Sequence, residues 1–201
     1  LRENNKNELK KFINKTGVGG NIDLKKPYYL VVLHPITTEQ NKSYKQTQIL
    51  IDSIIKLNSQ IIWLWPNVDA GSDGISKCLR INREKGLLNK FRFFKNFPVE
   101  IYNELLKTAK CLIGNSSSFI RESSYLGSAS VLVGDRQFKR ERAKNVSSVG
   151  FNANKIYDLI KKQEGKQFKR SLMYGDGRAS VKIVKVLENL KEINIQKTLN
   201  Y

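Results

Sequence analysis

The chain has 201 residues, 40% of them apolar, which is enough for one ordinary domain with its own core. Its 36 Lys and Arg against 18 Asp and Glu give a formal charge of +18, which favours anionic partners without saying which anion. One histidine and two cysteines are too few for a zinc site or a disulfide framework, and no bilayer-length apolar run or signal-peptide pattern occurs, so the expectation is a soluble, cytoplasmic chain without membrane partner or cofactor.

The first helix is expected in Leu1 to Val18, where Leu9, Phe12 and Ile13 recur at helical spacing among lysines. Gly17, Gly19 and Gly20 then read as a flexible joint, so residues 1–20 form an opening helix and glycine hinge, and 21–201 form the main lobe. Tyr28 to Leu33 is apolar on both faces, as a central parallel strand must be, and stops at His34-Pro35. A helix over Ser43 to Leu57 carries the stripe Ile49, Leu50, Ile54 and Leu57, and Gln60 to Trp65 is a second strand ended by Pro66. Asn67 to Gly74 is rich in turn residues, Ile75 to Lys85 is helical, and Phe91 to Phe94 is a third strand, with Pro98 opening a helix to Lys107.

Cys111 to Glu122 organises the rest: a buried strand breaks at Gly114 and restarts as a helix over Ser117 to Leu126, with Ser117 or Ser118 as cap and Gly127 as stop. Free N–H groups at such a start suit an anion, phosphate above all, although Asn-Ser-Ser-Ser is equally an ordinary capped loop. Strands at Ser130 to Val133 and Val146 to Val149, a helix from Asn154 to Gln163, a tight turn at Tyr174 to Gly177 and a closing helix over Ala179 to Lys191 complete the chain.

Strands alternating with helices predict an α/β, Rossmann-like, doubly wound parallel sheet. In the order 3-2-1-4-5-6, strands one and four are neighbours at the switch point, so the loops at His34 and Ser116 meet there with Asn67 and Arg136. A serine hydrolase does not fit, because Gly114 to Ser118 lacks the second glycine of a nucleophile elbow. A dinucleotide or P-loop site does not fit either, because strand one ends in His34-Pro35-Ile36-Thr37-Thr38 and no Gly-x-x-x-x-Gly-Lys occurs.

A nucleoside diphosphate suits what remains. Glu122 can accept from ribose hydroxyls, Arg136 can present a planar fork to phosphate, and His34 can donate a hydrogen bond or proton to a departing phosphate. Each also has a structural explanation: an Arg136–Asp135 pair, a Glu122 that only complements the helix dipole, a core histidine. Basic clusters at Lys10-Lys11, Lys139-Arg140 and Lys161-Lys162 lack the aromatic interleaving of a nucleic-acid surface, so nucleic acid is not an expected partner.

The ordered set His34-Pro35-Ile36-Thr37-Thr38-Glu39, Pro66-Asn67-Val68-Asp69-Ala70-Gly71, Gly114-Asn115-Ser116-Ser117 with Arg121-Glu122, Gly134-Asp135-Arg136-Gln137 and Tyr174-Gly175-Asp176-Gly177 resembles the C-terminal lobe of UDP-N-acetylglucosamine 2-epimerases. The resemblance implies one lobe of a two-lobe glycosyltransferase-B-type fold, with a UDP-sugar substrate. It places Ser116, Ser117, Arg136 and His34 on the diphosphate, Glu122 on the ribose, Asn67 near phosphate and sugar, and the Asn96-Phe97-Pro98 backbone against uracil. His34, read above as able to donate to a departing phosphate, is the expected catalytic residue of this lobe. The hydrolysing branch is favoured over the non-hydrolysing one, because the chain lacks the latter's His-Arg-x-Glu and Ser-Gly-Gly. Hydrolysis would eliminate UDP across C1 and C2 of the sugar and add water to give N-acetylmannosamine. A glycosyltransferase of the same lobe design is an alternative, and a non-enzymatic basic binding module a less favoured one. By the resemblance, acid and base carboxylates come from an N-terminal lobe that this sequence does not contain, so the chain is expected to supply half a site; homo-oligomerisation is left open.

Overall fold

The computed structural model describes residues 3–191. By internal contacts the chain divides into two units, Leu1–Ser171 and Leu172–Tyr201.

Among the described residues of the first unit, seven strands form one sheet: β1 (Val18–Gly19), β2 (Tyr28–Val32), β3 (Gln60–Leu64), β4 (Phe91–Phe94), β5 (Cys111–Gly114), β6 (Ser130–Val133) and β7 (Val146–Val149). Their order is β1-β4-β3-β2-β5-β6-β7, and β2 to β7 are all parallel. Counted from Tyr28, this is the doubly wound order expected of the six long strands. β2 is central because it can be buried on both sides: Tyr29, Val31 and Leu33 enter one core, Tyr28, Leu30 and Val32 the other.

Helices α2 (Ser43–Ile54), α3 (Ser72–Glu84) and α6 (Ala153–Gln163) cover the first face through Leu50, Ile51, Ile54, Ile75, Leu79, Ile156 and Ile160. Helices α1 (Glu3–Lys15), α4 (Val99–Thr108) and α5 (Arg121–Leu126) lie on the other, where Leu9, Ile13, Ile101, Leu105, Phe119 and Ile120 are buried. The chain therefore leaves β2 toward one face and β5 toward the other, which opens a crevice between their carboxyl ends.

Three local differences from the sequence reading have physical causes. Val18–Gly19, expected to be part of a hinge, pairs antiparallel with β4, Val18 opposite Phe93 and Gly19 opposite Arg92. A Cβ at Gly19 would stand 2.4 Å from the Phe91 carbonyl oxygen, so this glycine serves a close backbone approach. The loop after His34 winds into a 3-10 segment, Thr37–Lys42, where Glu39 pairs with Lys42 and accepts from Gln46. Ile51 rather than Ile49 completes the buried stripe of α2, and Ile49 is only partly buried.

The second unit contains the expected turn and closing helix. Asp176 accepts from the Arg178 N–H at 3.0 Å and pairs with Lys182, at the start of α7 (Ala179–Glu188). Among the described residues no helix is long and apolar enough to cross a membrane. The ends of the two expected segments, 1–2 and 192–201, lie outside the described residues.

Candidate active site at the carboxyl ends of the strands

The site begins with Gly114, the last residue of β5. Its φ is +137°, and a Cβ there would stand 2.0 Å from the Val32 carbonyl oxygen, so only glycine lets β5 finish flush against β2. The next residue, Asn115, then donates its backbone N–H to Val32 at 3.0 Å and turns its amide onto His34. Asn115 Oδ1 accepts from the His34 N–H at 2.7 Å, and Asn115 Nδ2 donates to the His34 carbonyl at 2.8 Å. Both backbone polar groups of a buried residue beyond the strand end are thereby satisfied.

The Asn115 carbonyl in turn accepts from Arg136 Nη1 at 3.3 Å and from Gln137 Nε2 at 2.9 Å, which ties in the loop after β6. From the loop after β3, the Asn67 N–H donates to His34 Nδ1 at 3.2 Å. One hydrogen-bonded set thus joins the ends of β2, β3, β5 and β6.

This set fixes the state of the imidazole. Burial, reinforced by the Arg136 charge and opposed by Asp69, lowers the His34 pKa from 6.5 to about 4. His34 is therefore neutral at pH 7, and because Nδ1 accepts from Asn67 the proton sits on Nε2. Arg136 is half-buried, and its pKa is lowered by burial, with Asp69 acting in the opposite direction. It remains a cation at any ordinary pH.

Beyond Asn115 the chain makes a 3-10 turn, Ser117–Phe119, before the six-residue helix α5. The cap is Ser116, whose Oγ accepts from the Ser118 N–H at 3.4 Å, rather than Ser117 or Ser118. The tighter turn brings Phe119 and Ile120, both fully buried, beneath the sheet before α geometry begins. With one 3-10 turn and a short helix, the dipole available to an anion is smaller than a helix beginning at Ser117 would give, and side-chain donors carry more of the recognition. Ser116 Oγ lies 2.9 Å from Ser118 Oγ, which lies 2.6 Å from the Tyr102 hydroxyl. Ser117 is half-buried, and no side-chain hydrogen bond of it is found among the described residues.

Phe97 sits in an aromatic cluster, 4.7 Å from Phe94, 5.7 Å from Phe12 and 6.3 Å from Tyr102, centroid to centroid. It lines a groove of about 480 Å³ with Trp65, Pro66, Asn67, Asn96 and Tyr102. A larger cleft of about 730 Å³ opens between α3 and β4; it shares Trp65 and Lys95 with the groove but holds none of the expected site residues. Glu122 is exposed in the first turn of α5, and its charge acts on Tyr102, whose pKa is raised mainly by burial.

His34 and Arg136 are thus joined through Asn115, Asn67 bonds to His34, Ser116 follows Asn115 in the chain, and Phe97 shares a groove with Asn67, whereas Ser117, half-buried, and Glu122, exposed, are not among the residues hydrogen-bonded in this set. The parts played by Asn115, Gln137, Ser118, Tyr102 and Asp69 are not legible in the sequence. Asn115 and Gln137 stand in the sequence motifs without a role of their own, and a buried asparagine directly after a strand-ending glycine is the signal for the first. Ser118 was read as a cap, while Tyr102 and Asp69 gave no separate signal. Among the described residues no group of three or more His, Cys, Asp or Glu side chains is placed to hold a metal ion.

Comparison with known proteins agrees with this architecture. The chain is 31% identical over 163 residues to a GDP/UDP-N,N'-diacetylbacillosamine 2-epimerase (hydrolyzing) of Campylobacter jejuni, matching 80% of this chain and 42% of that protein. It is 32% identical over 133 residues to a UDP-N-acetylglucosamine 2-epimerase of Neisseria meningitidis, matching 66% and 34%. The chain thus spans less than half the length of these curated relatives. A crystal structure of UDP-GlcNAc 2-epimerase from Neisseria meningitidis bound to UDP-GlcNAc superposes with a TM-score of 0.69 at 15% identity, over 94% of this chain and 50% of that one, a likeness of fold. The family model for UDP-N-acetylglucosamine 2-epimerase matches residues 3–188, nearly the whole chain, which therefore belongs to the UDP-N-acetylglucosamine 2-epimerase family.

Proposed function

We propose that the chain is the UDP-binding, C-terminal lobe of a hydrolysing UDP-N-acetylglucosamine 2-epimerase, acting on a UDP-sugar together with an N-terminal lobe. The observation that carries this reading is the hydrogen-bonded set joining His34, Asn67, Asn115 and Arg136 at the switch point, followed in the chain by serine hydroxyls and continuous through Asn67 with an aromatic groove. Arg136 offers a planar fork to phosphate, Ser116 and Ser117 offer hydroxyl donors, and the groove at Phe97 and Asn96 offers a flat apolar wall and a backbone edge to uracil. Glu122 is assigned to the ribose hydroxyls and Asn67 to the junction of phosphate and sugar.

Elimination breaks the C2–H and C1–O bonds, the C2 proton going to a base, forms a C1–C2 double bond and releases UDP; water then adds across that double bond, its oxygen to C1 and a proton to the opposite face of C2, which inverts C2. Charge develops on the phosphate oxygen that leaves C1. A neutral His34 holding its proton on Nε2 stabilises that charge by donating a hydrogen bond that strengthens as the bond breaks. The base that takes the C2 proton is assigned to the N-terminal lobe, since no matched carboxylate pair faces the sugar here.

Calorimetry of this chain with UDP and UMP tests the site. UDP should bind more tightly than UMP, because the second phosphate gains Arg136 and the serines; equal affinity would refute the assignment. For the branch, the favouring observation is the hydrolyzing Campylobacter relative, together with the Ser116-Ser117-Ser118 run. The Neisseria relative, whose name carries no such qualifier, keeps the non-hydrolysing reading as the second. Turnover by the two-lobe enzyme in heavy-oxygen water separates them: label in the free sugar supports hydrolysis, and an unlabelled UDP-sugar epimer supports the other branch.

A further inference from the structure

We propose that Tyr102 is a positioning residue for the diphosphate, acting through Ser118 to make Ser116 a committed hydrogen-bond donor. This rests on the reading of the cleft as a UDP site.

Three hydroxyls form a chain: Tyr102 to Ser118 at 2.6 Å, and Ser118 to Ser116 at 2.9 Å. Ser116 Oγ also receives the Ser118 N–H at 3.4 Å. A serine hydroxyl has one proton and two lone pairs. When the Tyr102 proton points to Ser118 and the Ser118 proton to Ser116, both lone pairs of Ser116 are engaged and its own proton is left to find an acceptor. Among the described residues the acceptor in reach of that proton is the Tyr102 hydroxyl, which also interacts with Ser116, and a phosphate oxygen, an acceptor only, competes with it for the proton. In the opposite direction Ser116 would spend its proton on Ser118 and could offer a phosphate nothing. Burial raises the Tyr102 pKa, so the phenol keeps a proton that it can donate to Ser118.

Tyr102 is well placed to hold this direction. Its ring stacks at 16° on Phe97 and lines the same groove, so one rigid side chain forms part of the wall offered to the base and stands behind the serine offered to the phosphate. Aligned hydrogen bonds polarise one another, so removing the first donor weakens the last even though Tyr102 is not adjacent to the ligand.

The test measures UDP affinity by calorimetry for the wild-type chain, Tyr102→Phe, Ser118→Ala, the double variant and Ser118→Thr, with a thermal melt of each. Tyr102→Phe keeps the stacked ring and Ser118→Thr keeps the hydroxyl. Each of Tyr102→Phe and Ser118→Ala should weaken UDP binding about tenfold, the scale of one hydrogen bond to a charged group. The double variant should lose no more than Ser118→Ala alone, because the groups act in series. Ser118→Thr should bind within about threefold of wild type, a recovery that a purely structural role for the serine would not predict. If wild type binds UDP and both single variants bind it equally well, or if their losses add, the relay is refuted while the site stands. If wild type does not bind UDP, the site reading itself fails. Should Ser118→Thr not fold, the cycle of Tyr102→Phe and Ser118→Ala decides alone.

Discussion

Replacing Asn115 by Ala is the sharpest probe of how the crevice is built. The side chain satisfies the N–H and the C=O of His34, at 2.7 and 2.8 Å, and His34 is 8% exposed. Without the amide, two buried backbone groups lose their partners. Each such loss costs roughly 1–3 kcal/mol, so the expected destabilisation is about 2–6 kcal/mol. That is a large part of the roughly 5–15 kcal/mol that holds an ordinary domain together. Urea unfolding followed by circular dichroism measures it as a lower midpoint at unchanged slope. Asn115→Leu separates hydrogen bonding from packing, since leucine refills the volume but supplies neither donor nor acceptor. It should lose about as much as the alanine variant. A loss below about 0.5 kcal/mol in Asn115→Ala, or recovery of most of the loss by leucine, would refute the clamp.

Gly114→Ala should destabilise by more than about 3 kcal/mol and deplete soluble folded protein, because its Cβ would lie 2.0 Å from the Val32 oxygen at a φ of +137°; a wild-type melting temperature would contradict this. Stability should fall as pH drops from 6.5 toward 4, because the unfolded chain takes up a proton there that folded His34 refuses; the whole drop is worth about 3 kcal/mol, and His34→Gln, in a chain with one histidine, should flatten the window between pH 6.5 and 5. Glu122→Gln should leave the urea midpoint unchanged, since the residue is exposed, yet weaken UDP binding by roughly 1.5–3 kcal/mol; equal losses of stability and affinity would make Glu122 a structural acid instead.

The frame was legible wherever local pattern and burial coincide. Tyr28 to Leu33 reads as a central strand because both faces are apolar, and once six such strands alternate with helices, sheet order and switch point follow. Val18–Gly19 was not legible: two residues carry no periodicity, and pairing with β4 is set by a close approach that only coordinates reveal. The 3-10 turns at Thr37–Lys42 and Ser117–Phe119 were read as loop and helix, since such short pieces are chosen by what must be buried next. That the strand ends at His34, Asn67, Ser116 and Arg136 come together follows from the sheet order. What joins them did not appear, because Asn115 acts on a backbone 81 positions away and Tyr102 on a serine in another element. A turn asparagine and a helical tyrosine have ordinary local explanations, and only their partners give them another.

The histidine shows how far such a partner can alter a role read from residue type. From sequence, His34 could give a proton or only a hydrogen bond to a departing phosphate. Its burial, the Arg136 charge and the Asn67 N–H on Nδ1 leave it neutral, with a pKa of about 4 and the single proton on Nε2. An imidazole in that state has little protonated acid to give at pH 7, because the protonated fraction at three pH units above the pKa is roughly one in a thousand. A bound diphosphate would counter the Arg136 charge and raise that fraction, yet the desolvation that dominates the shift would persist in a closed crevice. The proposed contribution of His34 to release of UDP is therefore a fixed dipole aimed at the oxygen where charge develops, which needs no reorganisation as the bond breaks.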